Sequence, residues 1–305
     1  MIAVRSLCLP GPVMTASGVF GYGTEFAERM SLAGLGAVIC KGTTREPRIG
    51  NEPLRLAETP AGMLNAIGLA NIGIEAVIAE KAPIWASWDV PVIVNVSGSD
   101  VAEYTHIAAR LAGCPGVAGI ELNVSCPNVK AGGIAFGIDA AAAAEVTRAV
   151  RDVTQLPLIV KLSPNVTDIR TIARAVETAG ADAVSLINTV YGTAIDQQSR
   201  RPLLAPGRGG LSGPAVKPLA LALVAEVAAT VRIPVIGIGG ILTWQDAAEY
   251  ILAGACAVQM GTALLLDPTA WRPVTSGLRR WLDKEGGLEA VVGAANPRFK
   301  GKTGG

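Results

Sequence analysis

The sequence predicts an α/β fold of the (β/α)8 barrel type, with the active site at the C-terminal ends of the strands. Short apolar runs recur along the 305 residues, helical patterns separate most of them, and half of the residues are hydrophobic. Runs that are apolar throughout are typical of strands buried on both faces of a parallel sheet. Barrels of this length commonly form one domain, so we expect residues 1–305 to fold as a single unit.

Eight runs bounded by Gly, Pro or polar residues are predicted as strands. In chain order they are 12–18, 37–42, 91–98, 119–125, 158–163, 183–189, 234–240 and 257–263. The sheet of a barrel is built from strands of this number and spacing.

Helix signals lie between the later strands. Segment 140–153 follows Asp139, a residue type that favours the N-cap, and segment 214–231 begins with proline directly after Gly213. Segment 168–180 is the third predicted helix, whereas 43–88 has the least regular pattern. The basic, glycine-rich tail 296–305 is predicted to be disordered.

Composition excludes several classes of function. The net charge of +1 gives no electrostatic reason to bind nucleic acid or an anionic membrane. The most apolar stretch, 219–231, is too short to cross a bilayer, and the N-terminus lacks the pattern of a signal peptide. We therefore expect a cytoplasmic protein with no membrane contact.

The cysteines are scattered and odd in number: Cys8, Cys40, Cys114, Cys126 and Cys256. None of them forms a C-x-x-C pair or another spacing that binds metal. We expect no metal site, iron–sulfur cluster or disulfide framework in this chain.

Polar residues gather at the ends of the predicted strands, where a barrel has its active site. Among them are Ser17, Lys41, Asn95, Asn123, Lys161 and Asn188. Any one of these residues is equally well explained as a loop residue that marks the end of a strand. The whole ring, with two lysines in it, favours a binding site.

The last two strand ends are rich in glycine, at Gly239, Gly240 and Gly261. Barrels often bind phosphate with these loops, because glycine lets backbone N–H groups approach an anion closely. The pattern therefore predicts a phosphorylated ligand, although tight turns alone would also require glycine.

Lys161 ends a strand that is otherwise apolar. A buried lysine needs a negative partner, and the charge that develops on a reduced flavin is one candidate. A distant Asp or Glu is the other. No G-x-G-x-x-G motif with a following acidic residue occurs, so this chain is not expected to bind NAD alone.

The run Glu121-Leu-Asn-Val-Ser-Cys-Pro-Asn128 places a thiol at the mouth of a strand. The single histidine, His106, is distant in sequence, so the pattern does not indicate a Cys–His nucleophile. A free thiol has a pKa near 8.5, which suits a base, and Pro127 biases Cys126 toward an extended conformation. The alternative is that Cys126 is a small buried hydrophobic residue.

The chain also resembles a known family, the class 1 dihydroorotate dehydrogenases, and most closely class 1B. The resemblance covers about residues 12–266 and rests on motifs in the family's order. They are Lys41-Gly-Thr-Thr44, Asn65-Ala-Ile-Gly-Leu69, Ser125-Cys-Pro-Asn128, Lys161-Leu-Ser-Pro-Asn-Val-Thr-Asp168, Asn188-Thr189 and Gly209-Gly-Leu-Ser-Gly213.

The resemblance implies a barrel with one FMN per chain that oxidises (S)-dihydroorotate to orotate in pyrimidine (UMP) synthesis. Cys126 becomes the base that removes the C5 proton while hydride passes from C6 to flavin N5. The implied substrate residues are Lys41, Asn65, Ala66, Ile67, Gly68, Leu69, Asn123, Asn188 and Thr189. The implied FMN residues are Ser17, Lys41, Gly42, Asn95, Asn123, Lys161, Ile187, Gly213, Gly239, Gly240, Gly261 and Thr262.

The resemblance further implies a partner. In class 1B the electrons reach NAD+ through a subunit that carries FAD and a [2Fe–2S] cluster. The expected assembly is a heterotetramer of two catalytic and two electron-transfer subunits, built on a homodimer.

The chain departs from class 1B at several places. The segment before residue 12 is shorter than the family's opening β-hairpin, Ala131 stands where His is frequent, and Tyr191 and Thr193 replace Leu and Met.

The glycine-containing segment 127–138 has the composition of a mobile lid over the pocket.

Three alternatives stay open. Class 1A enzymes share the cysteine but reduce fumarate, and dihydropyrimidine dehydrogenase subunits share the loop but carry His where this chain has Asn128. Class 2 enzymes use a serine base and an N-terminal membrane-associated helix, so Cys126 and the short N-terminus argue against that class. A phosphosugar aldolase or isomerase would use Lys161 as a Schiff-base residue.

Overall fold

The computed structural model describes residues 2–125 and 136–299. The predicted base Cys126, Asn128, Ala131 and most of the predicted lid 127–138 lie outside the described residues.

The strands are β1 Ile2–Val4, β2 Leu7–Leu9, β3 Val13–Thr15, β4 Val38–Ile39, β5 Leu56–Thr59, β6 Gly62–Asn65, β7 Val92–Val96, β8 Gly119–Asn123, β9 Leu158–Lys161, β10 Ala183–Leu186, β11 Val190–Gly192, β12 Ile195–Asp196, β13 Arg201–Pro202, β14 Gly209–Ser212, β15 Val235–Ile238 and β16 Ala257–Met260.

The helices follow the strands in the order expected of a barrel. They are α1 Thr24–Ala27, α2 Ile74–Ala76, α3 Ala82–Trp85, α4 Val101–Leu111, α5 Ala140–Val153, α6 Ile169–Thr178, α7 Lys217–Ala228, α8 Trp244–Ala253, α9 Thr262–Leu266, α10 Trp271–Lys284 and α11 Leu288–Val291, with a π turn at Val77–Lys81 and a 3₁₀ turn at Pro214–Val216.

Eight parallel strands form one sheet in the order β3-β16-β15-β10-β9-β8-β7-β4. The two ends of this sheet meet at Thr15. Its N–H donates to the carbonyl of Ala37 at 3.2 Å, and its hydroxyl accepts from the N–H of Ile39 at 2.9 Å. The predicted (β/α)8 barrel is therefore confirmed.

Each predicted apolar run contains a barrel strand, but the strands end earlier than predicted. β10 ends at Leu186 and β15 at Ile238, before the polar and glycine residues that follow. Those residues lie beyond the ends of the strands and line a cavity at the C-terminal end of the barrel. In contrast, α5 has the predicted bounds, and the Asp139 carboxylate caps it by accepting from the N–H of Ala142.

The other two predicted helices are shorter than expected. α6 begins after Asp168, which caps it, and ends at Thr178. Segment 214–231 starts with the 3₁₀ turn, and α7 ends at Ala228.

The N-terminal end of the barrel is closed by the antiparallel pair β1 and β2. Ile2, Val4, Leu7 and Leu9 are buried against the inward-facing residues of the barrel strands. Burying side chains of this size stabilises a fold by about 1.5–3 kcal/mol each. The opening hairpin is thus present, with three residues in each strand, although the sequence suggested a shortened segment.

A second sheet crosses the C-terminal end of the barrel, in the order β11-β14-β6-β5. It brings residues from the irregular segment 43–88 beside the connection that follows β10. The sequence did not predict this sheet, because its strands are short and contain few β-branched residues.

The predicted disorder of the tail is wrong for residues 296–299. Asn296 is buried, and its amide N–H groups donate to the carbonyls of Ala225 and Ala253 at 2.9 and 3.0 Å. Phe299 packs against the core. Residues 300–305 lie outside the described residues.

No helix within residues 2–125 and 136–299 combines the length and the apolar character that a membrane span requires.

Asn296→Ala is expected to lower the free energy of unfolding by about 1–3 kcal/mol, because the buried Asn296 amide no longer donates to the carbonyls of Ala225 and Ala253. Urea unfolding followed by tryptophan fluorescence measures the change. The exposed Gln197→Ala serves as the control. Equal midpoints for the two variants would contradict the role given to Asn296.

Candidate active site

A cavity of about 620 Å³ opens at the C-terminal ends of the barrel strands. This volume is within the range of small-molecule sites. Every predicted site residue except Cys126 lines it: Ser17, Lys41, Gly42, Asn65, Ala66, Ile67, Gly68, Leu69, Asn95, Asn123, Lys161, Ile187, Asn188, Thr189, Gly213, Gly239, Gly240, Gly261 and Thr262. The barrel thus brings together residues from the whole length of the predicted ring, while their binding roles stay predictions.

Lys161 lies at the base of this cavity and is 4% exposed. Its ammonium group donates to the hydroxyl of Ser17 at 3.1 Å and lies 3.8 Å from the Glu121 carboxylate. The sequence offered a ligand or a distant acid as the partner of this lysine. The acid exists, and Lys161 also lines the cavity.

Asn95 is held from below by the same carboxylate. Its side-chain amide donates to Glu121 Oε1 at 2.7 Å, while its own Oδ1 is buried and has no partner among the described residues. A Cβ atom at Gly42 would lie 3.2 Å from that oxygen. Glycine at position 42 therefore avoids crowding the free acceptor of Asn95.

Two asparagines form a pair across neighbouring strand ends. The Asn188 amide donates to Asn123 Oδ1 at 3.2 Å, and Asn188 Oδ1 accepts from the N–H of Thr189 at 2.8 Å. The backbone carbonyl of Asn123 accepts from the Tyr104 hydroxyl at 2.7 Å. The side-chain contacts fix the direction of both amides at the cavity wall, and the Tyr104 contact holds the backbone of Asn123.

The segment 65–69 forms another part of the wall. Asn65 donates to the carbonyl of Gly210 on β14, at 3.1 Å. Asn71 supports the far end of the segment by donating to the carbonyl of Leu69 and to the hydroxyl of Thr44, both at 2.8 Å. The wall is therefore tied both to the barrel and to the second sheet, β11-β14-β6-β5, which we call the mouth sheet.

The glycine-rich strand ends Gly239, Gly240 and Gly261 line the same cavity. Gly239 and Gly240 have φ of 133° and 66°, which L side chains rarely adopt. A Cβ atom at Gly240 would lie 2.7 Å from the Cβ of Lys217 and 2.9 Å from the carbonyl of Gly213. These loops can approach one another this closely only with glycine.

Lys217, which packs against these glycines, forms ion pairs with Asp246 and Glu249. Burial lowers the pKa of its ammonium group, but the hydrogen bonds and charges of the two carboxylates together outweigh this effect and leave the pKa raised. An anion at the glycine loops would therefore depend mainly on backbone N–H groups.

Among the cavity-wall residues that the sequence analysis did not predict are Asn165, Tyr191 and Arg208. Asn165 donates to the carbonyl of Thr189 and accepts from the N–H of Tyr191, both at 3.0 Å. The Arg208 guanidinium lies 5.4 Å from the centre of the Tyr191 ring, within the range of a cation–π contact. Asn165 stands inside the quoted motif 161–168 and was open to detection, whereas Arg208 comes from a loop with no strand-end signal.

The electrostatic character of the cavity is positive. Lys41, Lys161 and Arg208 line it, and the described lining residues include no Asp or Glu. Because charge of one sign in a cleft attracts ligands of the other sign, the cavity favours an anionic ligand.

The other cysteines do not line the cavity. Cys40 is fully buried, and burial raises the pKa of its thiol to about 12. Cys256 is partly buried against the barrel interior and Cys8 is exposed. His106, on α4, is also outside the cavity.

Comparison with known proteins gives a consistent result. Residues 2–282 match the family described as dihydroorotate dehydrogenase. A protein of Pelobacter propionicus is 55% identical over 285 residues, which are 93% of this chain and 94% of the relative. One of Desulforudis audaxviator is 54% identical over 297 residues, or 97% of each chain. Both carry the name dihydroorotate dehydrogenase B (NAD(+)), catalytic subunit.

The buried thiol of Cys40 gives a prediction about reactivity. At pH 8 a group with a pKa of about 12 is almost entirely protonated, and only the thiolate reacts with iodoacetamide. We expect mass spectrometry to find Cys8 alkylated and Cys40 unmodified until the protein is denatured. Alkylation of both at similar rates in the folded protein would contradict the burial of Cys40.

Proposed function

The chain belongs to the dihydroorotate dehydrogenase family, and we propose that it is the catalytic subunit of a class 1B enzyme that oxidises (S)-dihydroorotate to orotate. The observation that carries this proposal is the convergence of the predicted substrate and cofactor residues on one cavity. The names and the near full-length similarity of the relatives support class 1B over class 1A. The reaction is a step of pyrimidine synthesis.

The cavity residues fit FMN. The unpartnered Asn95 Oδ1 offers an acceptor to an N–H group of the ring system, and Lys161 offers a cation to its carbonyl edge. Gly213, Gly239, Gly240, Gly261 and Thr262 would hold the phosphate through closely packed backbone. Bound FMN supplies the acceptor for the hydride that leaves C6 of the substrate.

The asparagines suit the other ligand, which is a cyclic imide with a carboxylate. Each amide presents one acceptor and two donors, which match alternating C=O and N–H groups. Asn65, Asn123, Asn188 and Thr189 would bind the ring. Lys41, which forms no ion pair among the described residues, would meet the carboxylate, since ammonium groups bind carboxylates through charge-assisted hydrogen bonds.

Cys126 is proposed as the base that takes the C5 proton. It lies outside the described residues, but Ser125, directly before it in the chain, lines the cavity and donates to the carbonyl of Lys161 at 3.3 Å. A thiol near its ordinary pKa of about 8.5 becomes a better base as the pH rises. Substrate oxidation is therefore expected to accelerate toward that pH.

A partner subunit is proposed as the route for the electrons. Because the sequence has no dinucleotide-binding fingerprint, NAD+ would be reduced on a subunit that carries FAD and a [2Fe–2S] cluster. The proposed assembly is a heterotetramer of two copies of each chain. The words "catalytic subunit" in the names of the relatives support the existence of a partner.

An anaerobic visible spectrum of the purified chain tests the proposal. We expect a yellow protein whose flavin band bleaches when dihydroorotate is added. A flavin that bleaches with dihydrouracil but not with dihydroorotate would instead identify the chain as a dihydropyrimidine dehydrogenase subunit. A colourless protein that binds no FMN would contradict the proposal altogether.

Cys126→Ala is expected to slow bleaching by dihydroorotate by about 10²–10⁴-fold, the usual contribution of a positioned base. The flavin content should stay that of the wild type, because the proposed role concerns the proton only. Stopped-flow absorbance measures the rate, and Cys8→Ala is the matched control. A C126A rate within twofold of the control would exclude Cys126 as the base.

The proposed electron route predicts a difference between acceptors. With dihydroorotate, the isolated chain should reduce an artificial dye acceptor but not NAD+. Addition of the electron-transfer subunit should restore NAD+ reduction, followed by absorbance of the nicotinamide. Rapid NAD+ reduction by the chain alone would contradict the need for a partner.

A further inference from the structure

A fully buried carboxylate lies beneath the cavity and has no part in the chemistry described above. Glu121, on β8, is 0% exposed and does not line the cavity. Burying a carboxylate costs several kcal/mol in typical proteins unless the charge is compensated. The neighbouring inward residues of the barrel are largely aliphatic, so barrel packing does not require an acid here.

The carboxylate is the centre of a small network that joins several strands. Its Oε1 accepts from Asn95 on β7 at 2.7 Å and lies 3.8 Å from the Lys161 ammonium on β9. Its Oε2 accepts from Ser185 on β10 at 2.9 Å and from Gln259 on β16 at 2.7 Å. Asn95 and Lys161 are the two members that reach the cavity.

The network determines which way Asn95 faces. A carboxylate can only accept hydrogen bonds, so the NH2 group of Asn95 must point to Glu121. Its Oδ1 is then left buried without a partner among the described residues. An unsatisfied buried acceptor beside a cavity is costly until a ligand donates to it.

The network also sets the charge beneath the ligand. Lys161 alone would place a full positive charge there. At 3.8 Å the Glu121 carboxylate offsets much of the field that this ammonium group exerts on a bound molecule.

We propose that Glu121 is a positioning residue for the flavin, which orients Asn95 as an acceptor and keeps the reduction potential of the cofactor low. This inference rests on the proposed function of the cavity. The reduced cofactor carries more negative charge than the oxidised one, so a nearby carboxylate disfavours reduction and a nearby cation favours it. A low potential suits a flavin whose electrons must travel on to a nicotinamide.

Glu121→Gln removes the charge and keeps the shape. The new side chain can accept from Asn95 through its oxygen and donate to the hydroxyl of Ser185 through its nitrogen. Gln259 Oε1 has no partner among the described residues, so a turn of that amide would accept the second N–H. The variant is therefore expected to fold and to bind FMN.

The test is a dye-coupled redox titration of the FMN-loaded variant. Removal of one charge near the cofactor is expected to favour binding of the reduced over the oxidised form by about tenfold. For a two-electron couple this ratio corresponds to a positive shift of about 30 mV. Ser185→Ala is the matched control: it removes one hydrogen bond to Glu121, keeps the charge, and should leave the potential unchanged.

The outcomes separate this inference from the proposed function. A wild-type chain without flavin would overturn both. A wild-type chain that binds FMN and is reduced by dihydroorotate, with an E121Q potential equal to or below that of the wild type, would overturn the role of Glu121 alone. If E121Q does not fold, Glu121→Asp takes its place: a carboxylate retracted by one methylene should give a smaller shift in the same direction, and an unchanged or lower potential would overturn the inference.

Discussion

The site depends on the closure of a ring of parallel strands. Seven ladders and the hydrogen bonds of Thr15 join the eight strands, so every strand ends on the same rim. Residues that are far apart in sequence, such as Lys41 and Thr262, line one cavity for this reason alone. The hairpin of β1 and β2 fills the other end with aliphatic side chains, which leaves the C-terminal rim as the place where polar residues gather.

Charged side chains lie at both the base and the mouth of the cavity. The buried pair of Lys161 and Glu121 lies at the base of the cavity, and Arg208 lies at its mouth against Tyr191. A buried ion pair contributes little net stability, because desolvation offsets much of the attraction between the charges. Its presence is better explained by the ligand above it, since Lys161 and Asn95 both depend on the same carboxylate for their position.

The sequence predicted the barrel well because its strands are buried on both faces and therefore read as continuous apolar runs. The polar ends of those runs identified the cavity residues, since direction along a parallel strand determines which rim a residue reaches. The mouth sheet was not predicted, because strands such as β6 and β14 are short, contain glycine and pair across distant parts of the chain. Glu121 was read only as part of a strand, because alternation inside an apolar run does not reveal what an inward residue contacts. The burial of Asn296 was missed because its two hydrogen-bond partners, on α7 and α8, are distant from it in the sequence.

The most direct test of this account is a crystal structure of the chain with both FMN and orotate bound. We expect both ligands in the one cavity, with the FMN ring beside Lys161 and Asn95, its phosphate at Gly239 and Gly240, and orotate beside Asn65 and Asn188. FMN bound elsewhere, or orotate separated from the flavin, would contradict the claim that the ring of strand ends forms a single site for both.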